Sequence, residues 1–331
     1  MDKKFQLAKI IRPEKASDSK RFLSLEAGEQ VVNYHKSFPA YKETPLVSLP
    51  ALAGEIGVGS IHVKDESHRF GLNAFKVLGG SYSIGAYIAK RLGLGPEELN
   101  YRTIRSDAVR EKLGVLTFVT ATDGNHGRGV AWTARELGHK SVVYMPQGSS
   151  LERLENIRAE GAEAEILDMN YDDAVRLANK MGREHGWIVV QDTAWEGYEE
   201  IPRWIMQGYV TMAYEAVAQL NGDTPTHVFL QAGVGSMAGA VAGFLANYYG
   251  SDKPKIIIVE PNKANCIFRT AAAADNNLHF VKGKLDTLMA GLACGEPNRI
   301  AWDVLQETAE YALSCPDWVA AKGMRILAAP L

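Results

Sequence analysis

From Leu116 onward, short runs rich in β-branched residues alternate with longer stretches of helical period, and that alternation admits few folds other than a parallel sheet covered by helices. The runs are LTFVTAT at 116–122, SVVYMP at 141–146, AEAEILD at 162–168, WIVVQD at 187–192, THVFLQA at 226–232 and KIIIVE at 255–260. Between them, SLERLENIRAEG at 150–161 opens on a Ser N-cap, closes on Gly and repeats Leu151, Leu154 and Ile157 along one face. NYDDAVRLANKMGREH at 170–185 gathers Ala174, Leu177, Ala178 and Met181 in the same way. The pattern predicts an α/β chain whose strands are buried on both faces. In such a fold ligands sit at the carboxyl ends of the strands, in the loops that follow.

A hydrophobic fraction of 46% against 23% charged over 331 residues excludes a mostly disordered chain, and the length suggests about two domains. A net charge of −3 carries no nucleic-acid footprint. Cys266, Cys294 and Cys315 are too few for a disulfide scaffold and lack the spacing of a zinc or redox motif, so no metal and a reducing compartment are expected. The opening MDKKFQLAKIIRPEK lacks the apolar core of a signal peptide, which adds to the expectation of a cytoplasmic protein. Residues 228–249 carry no formal charge, and Gly235, Gly239 and Gly243 repeat at the four-residue spacing of membrane helix dimers. Gln231, Ser236 and Asn247 interrupt that run, and it reads better as a buried strand, a tight loop and a close-packed helix. No membrane partner is expected.

Three segments carry chemical potential. The first strand of the alternating region is followed by Asp123-Gly124-Asn125-His126-Gly127 at the start of a helix, where backbone N–H groups make a ready anion site. The strand at 226–232 is followed by Gly233-Val234-Gly235-Ser236-Met237, again before a helix, with glycines that let a phosphate approach the main chain. Taken alone, Gly233-x-Gly235-x-x-Ala238 with Glu260 ending the next strand also fits a dinucleotide fingerprint, which would make the chain an NAD-dependent oxidoreductase. The third segment is Asn73-Ala74-Phe75-Lys76-Val77-Leu78-Gly79-Gly80. A lysine early in an apolar helix feels the positive end of the dipole and loses solvation, both of which disfavour its ammonium form, as a Schiff-base lysine requires. As an accessible side chain it is expected to add little to stability.

N-A-F-K, then G-N-H-G after a strand, then G-V-G-S after a later strand, in this order, resembles the fold-type II pyridoxal-phosphate (PLP) enzymes, the group of the tryptophan synthase β-subunit and threonine dehydratase. Within it, T-D-G-N-H-G at 122–127 and Q-D-T-A-W-E-G-Y-E-E-I-P at 191–202 resemble the diaminopropionate ammonia-lyases, and the likeness extends from K-D-E-S-H-R-F-G-L at 64–72 to A-G-L-A-C-G-E-P at 290–297. The resemblance implies two open, twisted, mainly parallel sheets covered by helices, with the active site in a cleft between domains. Residues 1–75 and 193–331 would form the large PLP-binding domain and 76–192 the small one, in a homodimer acting on a small amino acid. It implies that Lys76 forms the internal aldimine, that Asn125 hydrogen-bonds the cofactor's 3′-oxygen, and that the N–H groups of Gly233, Val234, Gly235, Ser236 and Met237 hold its phosphate. Thr122, Asp123, Gly124, Asn125 and His126 would receive the substrate carboxylate. It also places the Cys266 and Cys294 segments near the cleft entrance, where a bridge between the two would restrain an entrance loop and two buried free thiols are the expected state.

Dehydratases of this group carry Ser where this chain has Asp123. A carboxylate beside the substrate carboxylate is repelled, by about 1 kcal/mol at 4 Å in water and by several times more when desolvated. A second ammonium on the substrate offsets that repulsion, and Asp192 would add another negative charge to the same pocket. Diaminopropionate has such a group; serine and threonine do not. The implied reaction is α,β-elimination of D- or L-2,3-diaminopropionate to pyruvate and two ammonia, with Lys76 the base on one face and Asp123 the candidate on the other. The sequence stops at Ala328-Ala329-Pro330-Leu331, where the resemblance implies further sheet and helix bearing the Ser or Thr that faces the pyridine nitrogen. That keeps open two alternatives: a serine or threonine dehydratase-like lyase, and a shortened PLP-binding protein with little activity.

Overall fold

The computed structural model describes residues 4–13, 17–275 and 277–328. Among these, ten strands form: β1 (Gln6–Lys9), β2 (Leu46–Ser48), β3 (His62–Lys64), β4 (Thr117–Ala121), β5 (Lys140–Met145), β6 (Glu163–Ile166), β7 (Ile188–Val189), β8 (His227–Gln231), β9 (Lys255–Pro261) and β10 (Tyr311–Cys315). The chain divides into two compact units, Met1–Ser24 with Glu43–Glu66 and Met212–Leu331, and Leu25–Lys42 with Ser67–Thr211. The first holds a sheet in the order β1-β10-β9-β8 and the small antiparallel pair β2-β3; the second holds a sheet in the order β6-β5-β4-β7. Every pairing in the second unit's sheet is parallel, as are β10-β9 and β9-β8, while β1 runs antiparallel to β10.

All six runs of the alternating pattern are strands, and both helices read from it form. Leu151–Ala159 is capped by the Ser150 side chain and Tyr171–His185 by that of Asn170. Burial on both faces holds for β4, β5 and β9 but fails for β6 and β8, which alternate or expose most of their side chains; Phe229 is 64% exposed. The reason is position. β6 and β8 end their sheets, and an edge strand lacks the neighbours that cover a central one. The sequence reading has no strand at β1, β2, β3 or β10, each five residues or fewer and too short to show a period.

The uncharged run at 228–249 resolves into β8, a glycine turn and a helix of 14 residues, Ser236–Tyr249. Among the described residues no helix is long and apolar enough to cross a membrane. The core of the second unit packs Val119, Ala121, Val142 and Tyr144 of the sheet against Ala174 and Ala178, the face expected for the Tyr171–His185 helix. On the other side Val143 and Met145 meet Ala131, Leu154 and Ile157. Helix Lys76–Leu92 is buried over nearly its whole length after its first residue.

Candidate active site

Lys76 is the first residue of its helix, where the sequence put it. Its Nζ lies 2.5 Å from Asp192 Oδ2, and the two side chains are 25% and 4% exposed. Burial by itself would raise the Asp192 carboxyl, but the Lys76 ammonium beside it outweighs burial, and the group is held down at about 2. The pairing also changes what Lys76 does for the fold. Removing one partner of a buried ion pair leaves the other charge uncompensated. The expected indifference of stability to this lysine therefore fails.

Asp192 owes its place to the residue before it. The 187–192 run was expected to be strand throughout, yet β7 ends at Val189, although Val190 N–H still bonds Val119 O at 2.9 Å. Beyond that the Gln191 side chain replaces the ladder: its Oε1 accepts from Ala121 N–H at 3.1 Å and Thr120 Oγ1 at 3.0 Å, and its Nε2 donates to Tyr171 Oη at 2.8 Å. Gln191 N–H donates to Tyr198 Oη at 2.7 Å, Tyr198 Oη donates to Val189 O at 3.0 Å, and the Trp195 and Tyr198 rings stack 4.1 Å apart. The Q-D-T-A-W-E-G-Y string is thus a clip that turns the chain at the carboxyl end of the sheet and presents Asp192 to Lys76.

At the neighbouring strand end, Thr122 is buried and accepts Gly124 N–H on Oγ1 at 3.0 Å, shaping the turn into helix Asn125–Glu136. Asn125 is exposed at the first turn and His126 is 3% exposed. His126 Nε2–H donates to Val190 O at 2.8 Å, which leaves Nδ1 a lone-pair acceptor without a partner among the described residues. Burial holds this imidazole neutral by lowering its pKa. Asp123 sits 3.4 Å from Arg153 Nη1, which also donates to the Asp123 carbonyl at 3.1 Å, and both side chains are 42% exposed. The sequence reading left Asp123 without a protein cation; Arg153 is one. Its only signal was a position on the polar face of the 150–161 helix.

In the other unit, Gly235 N-caps helix Ser236–Tyr249 at φ +95°, a left-handed conformation that a side chain resists. A Cβ on Gly233 would stand 3.0 Å from Cys294 Sγ, so the loop needs both glycines. Asn298, fully buried, braces this turn: its N–H donates to Val234 O at 2.8 Å and its Nδ2 to Ser236 Oγ at 2.8 Å. Nothing in the sequence reading pointed to Asn298, whose visible signal is that of a helix cap. Glu260 settles the dinucleotide alternative against it. The side chain is fully buried, its oxygens accept Ile267 N–H at 3.0 Å and Phe268 N–H at 2.6 Å, and burial pushes it up to about 8. A carboxylate committed to capping a helix is not free to hold a ribose. The three cysteines are free thiols, and Cys266 Sγ lies 3.6 Å from Gly233 O.

These features define a class: an amine poised by a desolvated carboxylate in one unit, and in the other a glycine cradle at the N-terminus of a long helix, the geometry that takes a phosphate. A family model described as "Pyridoxal-phosphate dependent enzyme" matches residues 37–330. The diaminopropionate ammonia-lyase of Salmonella typhimurium is 54% identical over 311 residues, covering 93% of this chain and 77% of the relative. Holo diaminopropionate ammonia lyase from Escherichia coli superposes with a TM-score of 0.91 at 47% identity, covering 100% of this chain and 81% of that one. The same enzyme in complex with an aminoacrylate–PLP azomethine reaction intermediate gives a TM-score of 0.88 at 47% identity, over 99% and 80% of the two chains. The chain belongs to the pyridoxal-phosphate dependent enzymes of fold type II and, within them, to the diaminopropionate ammonia-lyases. The residues present fit the cofactor: a lysine reachable at the start of its helix, a cradle that a Cβ would fill, and an orphaned imidazole nitrogen beside the lysine's partner.

Proposed function

We propose that this protein eliminates the β-amino group of D- and L-2,3-diaminopropionate, giving pyruvate and two ammonia. Pyridoxal phosphate, when bound, supplies an electron sink for the carbanion formed at the substrate Cα. The backbone N–H groups of Gly233 to Met237 hold its phosphate, Asn125 bonds its 3′-oxygen, and Lys76 is the amine that joins its aldehyde. Thr122 and the N–H groups of the Asp123–His126 turn receive the substrate carboxylate. With the cofactor and substrate bound, Lys76 would hold the proton taken from Cα of one enantiomer, and Asp123, steadied by Arg153, would take it from the other.

The observation that carries the choice of substrate is the Lys76–Asp192 pair. A lysine engaged with the cofactor withdraws its ammonium from Asp192, leaving a desolvated carboxylate short of one cation. A substrate with a β-ammonium fills that deficit, whereas a neutral hydroxyl leaves it open. The β-ammonium departs as neutral ammonia, taking the C–N electron pair and needing no further proton, and the released enamine hydrolyses with one water to pyruvate and the second ammonia. The same reading carries the expected division into a 76–192 small domain and a 1–75 plus 193–331 large one. It also carries a homodimer and a cytoplasmic home, the latter supported by three free thiols, and a small-molecule partner, with which a net charge of −3 is consistent. Pyruvate release from D- and L-diaminopropionate, measured beside D- and L-serine and threonine, tests the assignment. Diaminopropionate is expected to be preferred at least tenfold in kcat/KM, and equal or better turnover of a hydroxyl substrate would overturn it.

A further inference from the structure

Tyr209 is 1% exposed, and its hydroxyl has no hydrogen-bond partner among the described residues. Such a group is costly to bury and calls for a reason. Its ring is pinned. It packs edge-on against Phe75, the residue before Lys76, at 5.3 Å between centroids, and a Cβ on Gly79 would stand 2.7 Å from Tyr209 Cε1. Phe75 and Gly79 flank Lys76 along the start of its helix, so the phenol is held against that first turn. The charges of Lys76 and Asp192 both act on the hydroxyl, while burial raises its pKa and keeps it protonated.

Asp192 is paired with Lys76, and the charge on its carboxylate is also felt by His126, Tyr198 and Tyr209. Tyr198 spends its proton on Val189 O, and His126 spends its one ring N–H on Val190 O, with Nδ1 able only to accept. Of these three, Tyr209 Oη is the donor with no partner among the described residues. Resting on the function proposed above, we infer that Tyr209 is a positioning residue whose hydroxyl donates to the Asp192 carboxylate when Lys76 withdraws to join the cofactor. The bond keeps Asp192 ionised and oriented for the substrate's second ammonium. Tyr209 idles while Lys76 stands on Asp192 and takes over when it leaves, which explains why the hydroxyl is both buried and unpartnered here.

The test is Tyr209→Phe, which keeps the ring and removes one oxygen. In the holoenzyme, loss of a hydrogen bond to a charged group should move the acid limb of kcat/KM for diaminopropionate up by about one pH unit. The acid-side midpoint of the cofactor's visible band, read without turnover, should move with it. In an Asp192→Asn background the same change should move neither. The cofactor-free variant should unfold within a few degrees of the cofactor-free parent, because there the hydroxyl bonds nothing. An unmoved midpoint, a shift that survives in Asp192→Asn, or a large loss of stability without cofactor would each overturn the inference. Failure of the parent enzyme to release pyruvate would instead sink the substrate assignment, while the visible-band midpoint still decides the role of Tyr209.

Discussion

Asp192 and Asp123 stand at the carboxyl ends of adjacent strands of one sheet, each against a cation, yet they are opposite kinds of site. Asp192 is buried, 2.5 Å from a lysine that is itself three-quarters buried; Asp123 is 42% exposed, 3.4 Å from an arginine equally exposed. An exposed pair of that kind contributes on the order of 0–1 kcal/mol, because water screens it. A buried pair is held together by the cost of separating it, several times larger. The difference teaches which aspartate can be switched. Moving Arg153 changes little around Asp123, whereas moving Lys76 turns Asp192 into a strong site for any ammonium that arrives.

The comparison breaks most visibly at Lys76. Lys76→Ala is expected to lower turnover by about 10³-fold or more and to abolish the visible band at about 410–420 nm, since base and cofactor attachment go together. It should also destabilise the cofactor-free protein, by less than the roughly 3–5 kcal/mol of a fully buried pair because the lysine keeps a quarter of its exposure. Turnover within tenfold of the parent in a steady-state assay would remove Lys76 from the site.

A sharper reading comes from acid unfolding of the cofactor-free protein. Asp192 is held at about 2 against 3.8 for a free aspartate, so the folded state binds its proton more weakly than the unfolded one. The stability this adds is present above about pH 4 and is lost as pH falls from 3.8 toward 2, on the order of 2 kcal/mol in all. Urea denaturation at pH 6 and pH 3 should show about half of that loss, on the order of 1 kcal/mol, in the parent and a smaller one in Asp192→Asn. Equal losses would mean that Asp192 is not depressed by Lys76.

The smallest effect is expected at the exposed aspartate. Asp123→Ser should leave the unfolding free energy within about 1 kcal/mol of the parent and lower kcat on one enantiomer of diaminopropionate by about tenfold more than on the other. Equal loss on both enantiomers would make Asp123 a structural partner of Arg153 and nothing more.

The parallel sheets, the helices between them and the three glycine- or lysine-bearing turns were legible because each rests on local signals: β-branched runs, a Ser or Asn cap, glycine at a turn. What stayed hidden depends on distance in sequence. Asp192 could be ranked as a candidate from its string, but its partner lies 116 residues earlier, and no periodicity reports such a pairing. Arg153, Asn298 and Tyr209 were missed for the same reason, since each looks locally like a polar helix face, a cap and a core aromatic. β7 was overread because a glutamine side chain does there what a strand backbone would do, and composition cannot tell the two apart. The edge strands were read as buried because hydrophobic runs do not reveal which strand lies last in its sheet.

Gly79 and Gly208 meet where the first turns of helix Lys76–Leu92 cross helix Glu200–Gln219; a Cβ on Gly208 would collide with Leu78 O and come within 2.8 Å of Gly79 Cα. Two backbones in direct contact leave no compliant layer of side chains between them. The joint is a backbone-to-backbone contact that fixes the spacing of the two helices where Lys76 begins its own. A methyl group at either glycine would force the two helices apart at the turn that carries Lys76.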